Sequence, residues 1–118
     1  MVTGAGRGLG AAYARLLAAR GAAVVVHDAG VAEDGSGFDS SVADAVADEI
    51  VEWGGTATAC HENLESGAGC RRVVELAAEQ FGRVDVLVHN AGLVVFAPVE
   101  ETAPAIAERW PELTAATC

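Results

Sequence analysis

Residues 1–17, MVTGAGRGLGAAYARLL, decide the fold. Thr3, Gly4, Gly8 and Gly10 give the spacing T-G-x-x-x-G-x-G at the entrance to a segment of helical apolar periodicity. Glycine adopts backbone angles closed to other residues and leaves room for another group to come close. In such a turn Gly4 allows a tight exit from a strand, Gly8 lets backbone approach a pyrophosphate, and Gly10 lets the following helix pack closely. The first amides of that helix then face the phosphates, where the helix dipole favours an anion. The related spacing G-x-G-x-x-G is not met, because counted from Gly4 its last glycine would fall on Leu9. Only Met1 and Val2 precede the motif, whereas a strand in such a sheet usually runs about five or six residues. The expectation is a first strand represented by its end alone.

Working outward, helix-like and strand-like segments alternate. Leu9, Tyr13, Leu16 and Leu17 lie on one stripe of a helix predicted over residues 8–20, with Gly21 at its stop. AAVVVHD follows as a buried strand, and residues 29–39 form a loop rich in glycine and acids. Ser40 or Ser41 is placed to cap a second helix carrying Val42, Val46, Ile50 and Trp53 up to Gly54 and Gly55. TATAC is a short strand, residues 66–81 a third helix, and RVDVLVHNAG a fourth strand ending in a turn. Continuous apolar strands separated by amphipathic helices predict an α/β fold, a doubly wound parallel sheet of the Rossmann type, here partial.

Composition narrows the partners. An apolar fraction of 52% in 118 residues supports one domain with a real core. Seven arginines, no lysine and seventeen acids give a net charge of −10, which repels nucleic-acid backbones, so a phosphate-bearing ligand must be held locally. The longest apolar runs are too short to span a bilayer, and no leader or membrane anchor is expected. Cys60, Cys70 and Cys118 are odd in number and share no ligand spacing, which points to reduced thiols in a cytoplasmic protein and to no metal site. His27 reads as a packed strand residue.

Asp28 lies about twenty residues past the loop, at the end of the strand after the first helix. A carboxylate there accepts hydrogen bonds from a ribose diol and repels a 2′-phosphate. NAD is thereby favoured over NADP, although Arg7, inside the loop, is placed to meet a phosphate.

TGAGRGLG, an Asp after the second strand, and FGRVDVLVHNAG together resemble the short-chain dehydrogenase/reductase family, NAD(P)-dependent oxidoreductases on a Rossmann fold. The resemblance runs to about Gly92 and is strongest for the dehydrogenase domain of peroxisomal-type multifunctional β-oxidation enzymes, which act on 3-hydroxyacyl-CoA. It implies that Gly4, Gly8, Leu9 and Gly10 hold the pyrophosphate and that Asp28 holds the adenosine ribose. Asn63 and Leu64 stand where members often carry Asp and Val beside the adenine. Asn90, Ala91 and Gly92 match the end of the N-N-A-G turn along the cofactor, with His89 in place of the first Asn.

The family's chemistry also uses a Ser, an Asn and a Tyr followed four residues later by a Lys. This sequence has no lysine, and its one tyrosine, Tyr13, lies on the first helix, so no catalytic residue is assigned within it. Past Gly92 the likeness thins. Thr102 and Pro104 are placed to start a helix with Ile106 and Trp110, Pro111 ends it, and PELTAATC does not read as family sequence. The expected domain is therefore residues 1–118 as an incomplete NAD(P)-binding Rossmann unit with residues 93–118 poorly matched. Three functions stay open. One is the cofactor-binding part of a dehydrogenase acting on a hydroxyl or carbonyl substrate, homo-oligomeric in its full-length form. Another is a stand-alone nucleotide-binding module or pseudoenzyme. The last is a structural or partner-binding domain.

Overall fold

A computed structural model of the chain describes residues 1–32 and 37–92. The order of elements is β1 (Val2–Thr3), α1 (Gly8–Ala19), β2 (Ala23–His27), α2 (Ser41–Glu52), β3 (Thr56–Cys60) and α3 (Gly67–Phe81). The strands form a parallel sheet in the order β1-β2-β3, with Val2 opposite Val26 and Val26 opposite Ala59. The expected helix with Thr102, Pro104, Ile106 and Trp110, its end at Pro111, Cys118 and positions 33–36 of the acidic loop lie outside the described residues.

β2 carries the alternation that builds both layers. Val24 and Val26 join Val2, Ala11, Ala14 and Ala18 of α1, and Ala43, Val46, Ala47 and Ile50 of α2, in one core cluster. Val25 faces the other way and packs with Cys60, Val73 and Ala77, the last two from α3. Successive side chains of a strand point to opposite faces, so one apolar run feeds both cores and the sheet is covered on each side. The three valines are each at most 2% exposed, and each contributes about 1.5–3 kcal/mol by leaving water.

The expected stripe on α1 is only partly the buried one. Leu17 packs against the core, but Leu9, Tyr13 and Leu16 are exposed, and the contact face is Gly10, Ala11, Ala14 and Ala18. Both sets recur at helical spacing, so periodicity does not choose between them. Close approach does, since only small side chains let α1 lie near the sheet and the Gly4 backbone. α1 is also joined to α2 by Arg15, whose Nη2 and Nε donate to Glu49 Oε2 at 2.6 and 2.8 Å. A half-exposed pair of this kind adds about 0.2–1 kcal/mol.

Helix starts depart slightly from expectation. The Ser40 side chain makes no cap bond; Asp39 Oδ1 instead accepts from the Ser41 amide at 3.0 Å and from its hydroxyl at 2.6 Å. Ser66 caps α3 through its hydroxyl oxygen, which accepts from the Gly69 amide at 2.9 Å. The expected fourth strand is reduced to one parallel bridge, Val2 to Val88. The Met1 amino group donates to Val86 O at 2.8 Å, the Val88 amide to Met1 O at 2.9 Å, and the Thr3 amide to Val88 O at 3.0 Å. β1 offers two residues as a partner, so the ladder beside it ends where β1 ends. β1 nevertheless lies between β2 and residues 86–88, the arrangement in which the order of a doubly wound sheet reverses. Among the described residues no helix is long and apolar enough to cross a membrane.

His27, at the end of β2, is 2% exposed, and its Nε2 lies 2.8 Å from the Glu62 carbonyl oxygen. Nε2 therefore carries the proton and donates, while Nδ1 is buried with no partner. Burial pushes the imidazole pKa below its ordinary value, against the opposing pull of the Glu62 carbonyl and the Asp28 charge. The unfolded chain thus takes up the proton first as pH falls, so the contribution of His27 is complete above about pH 6.5 and is lost as pH drops toward the folded value. Denaturant unfolding between pH 7.5 and 5 should show falling stability, and His27→Gln, which keeps a donor for Glu62 and does not titrate, should flatten that slope. An unchanged slope in the variant would contradict the assignment.

Candidate functional site

The loops at the carboxyl ends of the strands converge on one edge of the sheet. Residues 4–10 leave β1, Asp28 follows β2, residues 61–64 follow β3, and residues 89–92 follow the bridge at Val88. In open parallel sheets a ligand binds in the crevice outside these ends, where the strand order reverses.

The glycines have separate reasons. Gly4 has φ +61°, and a Cβ on it would meet Ala91 Cα at 2.9 Å and Asn90 Nδ2 at 3.2 Å. A Cβ on Gly10 would overlap the Gly4 carbonyl oxygen and lie 2.6 Å from Asn90 Nδ2. Gly10 is thus demanded by the loop that precedes it as much as by packing on the sheet. Gly8, with φ +52°, faces open space among the described residues. An L side chain is strained there by the backbone alone, and the absence of neighbours leaves room for a group from outside. The start of α1 has no side-chain cap on Arg7 and no acid in its first turn, in a chain with seventeen acids. Leu9, in that turn, is 67% exposed.

Asn90 and Thr3 clamp this loop. Asn90 Nδ2 donates to Thr3 O at 3.2 Å and to Gly4 O at 3.0 Å. The Thr3 hydroxyl oxygen accepts from the amides of Asn90 and Ala91, each at 3.1 Å. Gly4, Gly10, Asn90 and Ala91 are therefore one contact group, and His89 in place of an asparagine leaves this clamp intact. Gly92 follows directly, and among the described residues nothing would lie within 4 Å of a Cβ on it.

Asp28 is tied to the same loop. Its Oδ2 accepts from the Gly6 amide at 2.9 Å and its Oδ1 from the Gly30 amide at 2.8 Å. A carboxylate has about four acceptor positions, so both oxygens keep capacity for a further donor. Arg7 reaches the loop after β2, where its Nη2 donates to Val31 O at 2.7 Å.

Asn63 and Leu64 lie at the same edge but are engaged within their own loop. Asn63 Oδ1 accepts from the Glu65 amide at 2.8 Å, and the half-buried Leu64 packs against the Val25, Cys60, Val73 and Ala77 cluster.

A family model described as short chain dehydrogenase matches residues 1–114. The chain belongs to the short-chain dehydrogenase family. It is 47% identical over 94 residues to the peroxisomal hydratase-dehydrogenase-epimerase of Saccharomyces cerevisiae, an alignment that covers 80% of this chain and 10% of that protein. It is 50% identical over 94 residues to the peroxisomal multifunctional enzyme type 2 of Drosophila melanogaster, covering 80% of this chain and 15% of that one. The crystal structure of a short chain dehydrogenase from Mycobacterium avium superposes with a TM-score of 0.83 at 39% identity, over 98% of this chain and 41% of that one. A hydroxysteroid dehydrogenase from Escherichia coli superposes with a TM-score of 0.79 at 35% identity, over 95% and 43% of the respective chains. The chain thus spans less than half the length of each of these relatives.

Short-chain dehydrogenases use a nicotinamide dinucleotide, and the described residues fit one: an uncapped helix start beside an open glycine, with a carboxylate at the end of the next strand. Three contributors went unnoticed in the sequence. Gly6 stands between the motif glycines, and a Cβ on it would overlap Val42 Cγ1 and lie 3.0 Å from Asp28 Oδ2. Thr3 belongs to the motif, but spacing does not mark its hydroxyl as the acceptor for two amides. Gly30, two residues past Asp28, completes an Asx turn, for which the D-A-G spacing was the available signal.

The clamp is testable. Asn90→Ala leaves the Thr3 and Gly4 carbonyls without their donor and should lower stability by about 1–3 kcal/mol, read from the urea midpoint. Asn90→Asp, which turns an oxygen toward those carbonyls, should cost more. Native stability in both variants would remove the clamp from the account.

Proposed function

We propose that this chain forms the nucleotide-binding part of an NAD-dependent dehydrogenase acting on a hydroxyl or carbonyl substrate, with 3-hydroxyacyl-CoA as the substrate class. The observation that carries this is the start of α1, where uncapped amides meet an open, positive-φ Gly8 beside the clamp of Thr3, Gly4 and Asn90. Gly4, Gly8, Leu9 and Gly10 would seat the pyrophosphate on those amides. The spare acceptor capacity of Asp28 would take the adenosine ribose diol, with Asn63 and Leu64 toward the adenine. Asn90, Ala91 and Gly92 would line the path toward the nicotinamide, which when bound supplies the hydride chemistry. Arg7, drawn to Val31 O, lies beyond Asp28 and is the one loop residue whose charge would suit an additional phosphate. The free thiols of Cys60 and Cys70 suit a reducing, cytoplasmic setting, and the full-length form would be a homo-oligomer.

A second function, nucleotide binding without turnover, applies to these 118 residues by themselves. The sequence has no lysine, and Tyr13 is 41% exposed on the outer side of α1, so no Tyr and Lys pair is present to take a hydroxyl proton.

Fluorescence titration should show tighter binding of NADH than of NADPH. Asp28→Ala should narrow that ratio by relieving repulsion of the 2′-phosphate. No NADH should form from NAD and a 3-hydroxyacyl thioester. Equal affinities in the starting chain would sink the role of Asp28 in choosing the cofactor, and purification-resistant turnover would mean that other residues perform the chemistry.

A further inference from the structure

Asp28 follows β2, whereas the turn expected to receive phosphate follows β1, and a ribose contact alone requires no bond between them. The two are nevertheless joined directly. Asp28 Oδ2 accepts from the Gly6 amide across 22 residues of sequence at 2.9 Å, while Oδ1 anchors the carboxylate from behind through the Gly30 amide at 2.8 Å. No side chain fits at position 6 in this arrangement, because a Cβ there would overlap Val42 Cγ1 and crowd the same carboxylate oxygen. On the other side the loop is held by Asn90 through the Gly4 carbonyl. The turn is therefore gripped from both flanking strands, and on the β2 side the grip is a charge-assisted hydrogen bond, the stronger kind.

We propose that Asp28 is a positioning residue for the phosphate loop, holding its amides in the anion-receiving geometry before any nucleotide arrives. The inference rests on the nucleotide-binding function proposed above and adds a second, separable task to the same side chain. The two tasks predict opposite signs for a ligand that has phosphates and no ribose. By Coulomb repulsion alone, a carboxylate beside an anion site weakens anion binding, so removing it strengthens binding. If the carboxylate sets the loop, removing it weakens anion binding. The effect on the loop is shared by NADH and NADPH, so it cancels in their ratio and leaves the cofactor preference as an independent readout.

The probes are inorganic pyrophosphate and NADH, titrated into the 118-residue chain and followed by amide NMR. In the free wild-type chain the Gly6 amide should exchange with solvent at least tenfold more slowly than the Arg7 amide, for which the structure shows no comparable acceptor among the described residues. Asp28→Asn removes the charge and leaves one acceptor oxygen for the two amides, and Asp28→Ala removes the acceptor altogether. Asp28→Ala should lower pyrophosphate affinity about five- to tenfold and abolish the Gly6 protection, and Asp28→Asn should weaken both to a smaller extent. Gly6→Ala should lower the affinity too, because its Cβ would overlap Val42 Cγ1 and push the loop away from Asp28. Wild-type binding of NADH together with unchanged or raised pyrophosphate affinity in Asp28→Ala would overturn the positioning role and leave the nucleotide-binding function standing. An unprotected Gly6 amide in the folded wild-type chain would overturn it too. Failure of the wild-type chain to bind either probe would overturn both.

Discussion

The parallel pairing of two residues, Val2 and Thr3, holds the middle of this structure. On one side they register with Val26 and His27; on the other Val2 bridges to Val88 and the Thr3 amide reaches the Val88 carbonyl. A strand this short contributes few bonds of its own, so its position is fixed largely by its neighbours. Val2 is fully buried in the core shared by α1 and α2. Thr3, 3% exposed, uses its hydroxyl to take two amides from the turn after Val88. The Ala5 amide donates to the His27 carbonyl at 2.8 Å, which carries the register one step beyond the strand. Because the glycine loop starts at Gly4, its placement follows from this pairing, and so does the start of α1.

The sheet and helices were legible because their signals agree at several levels. The valine run 24–26 flanked by amphipathic segments cannot bury both faces except in a covered parallel sheet, and β3 falls on the expected TATAC. Two features were less legible. On α1 the alanine face and the leucine face share one period, and the choice between them depends on how closely the helix approaches Gly4, which no local pattern encodes. At residues 84–88 the composition is that of a strand, with Val84, Val86 and Leu87 each more than 40% exposed, yet a ladder needs a partner and β1 provides two residues.

The site was legible at its corners and obscure in its wiring. Gly4, Gly8, Gly10, Asp28 and Asn90 carry recognisable spacing and come to one edge, whereas the bonds joining them run through the Gly6 amide, the Thr3 hydroxyl and the Gly30 amide. Two of these three donors or acceptors are backbone groups, which every residue has, so sequence does not single them out. Asn63 and Leu64 show the converse. Their place in the sequence suggests a ligand, while their bonds and packing serve the turn into α3 and the core beneath it.

A chain with ten net negative charges favours an anion only where fixed dipoles outweigh the general field, and the place proposed for that here is the first turn of α1. The most direct test is the footprint of NADH on the amide NMR spectrum of the 118-residue chain. The account predicts saturable shifts confined to residues 4–10, Asp28 and residues 90–92, with α2 beyond its first turn and the exposed Tyr13 and Leu16 side of α1 unaffected. Shifts centred on that outer face of α1, or none that saturate, would contradict it.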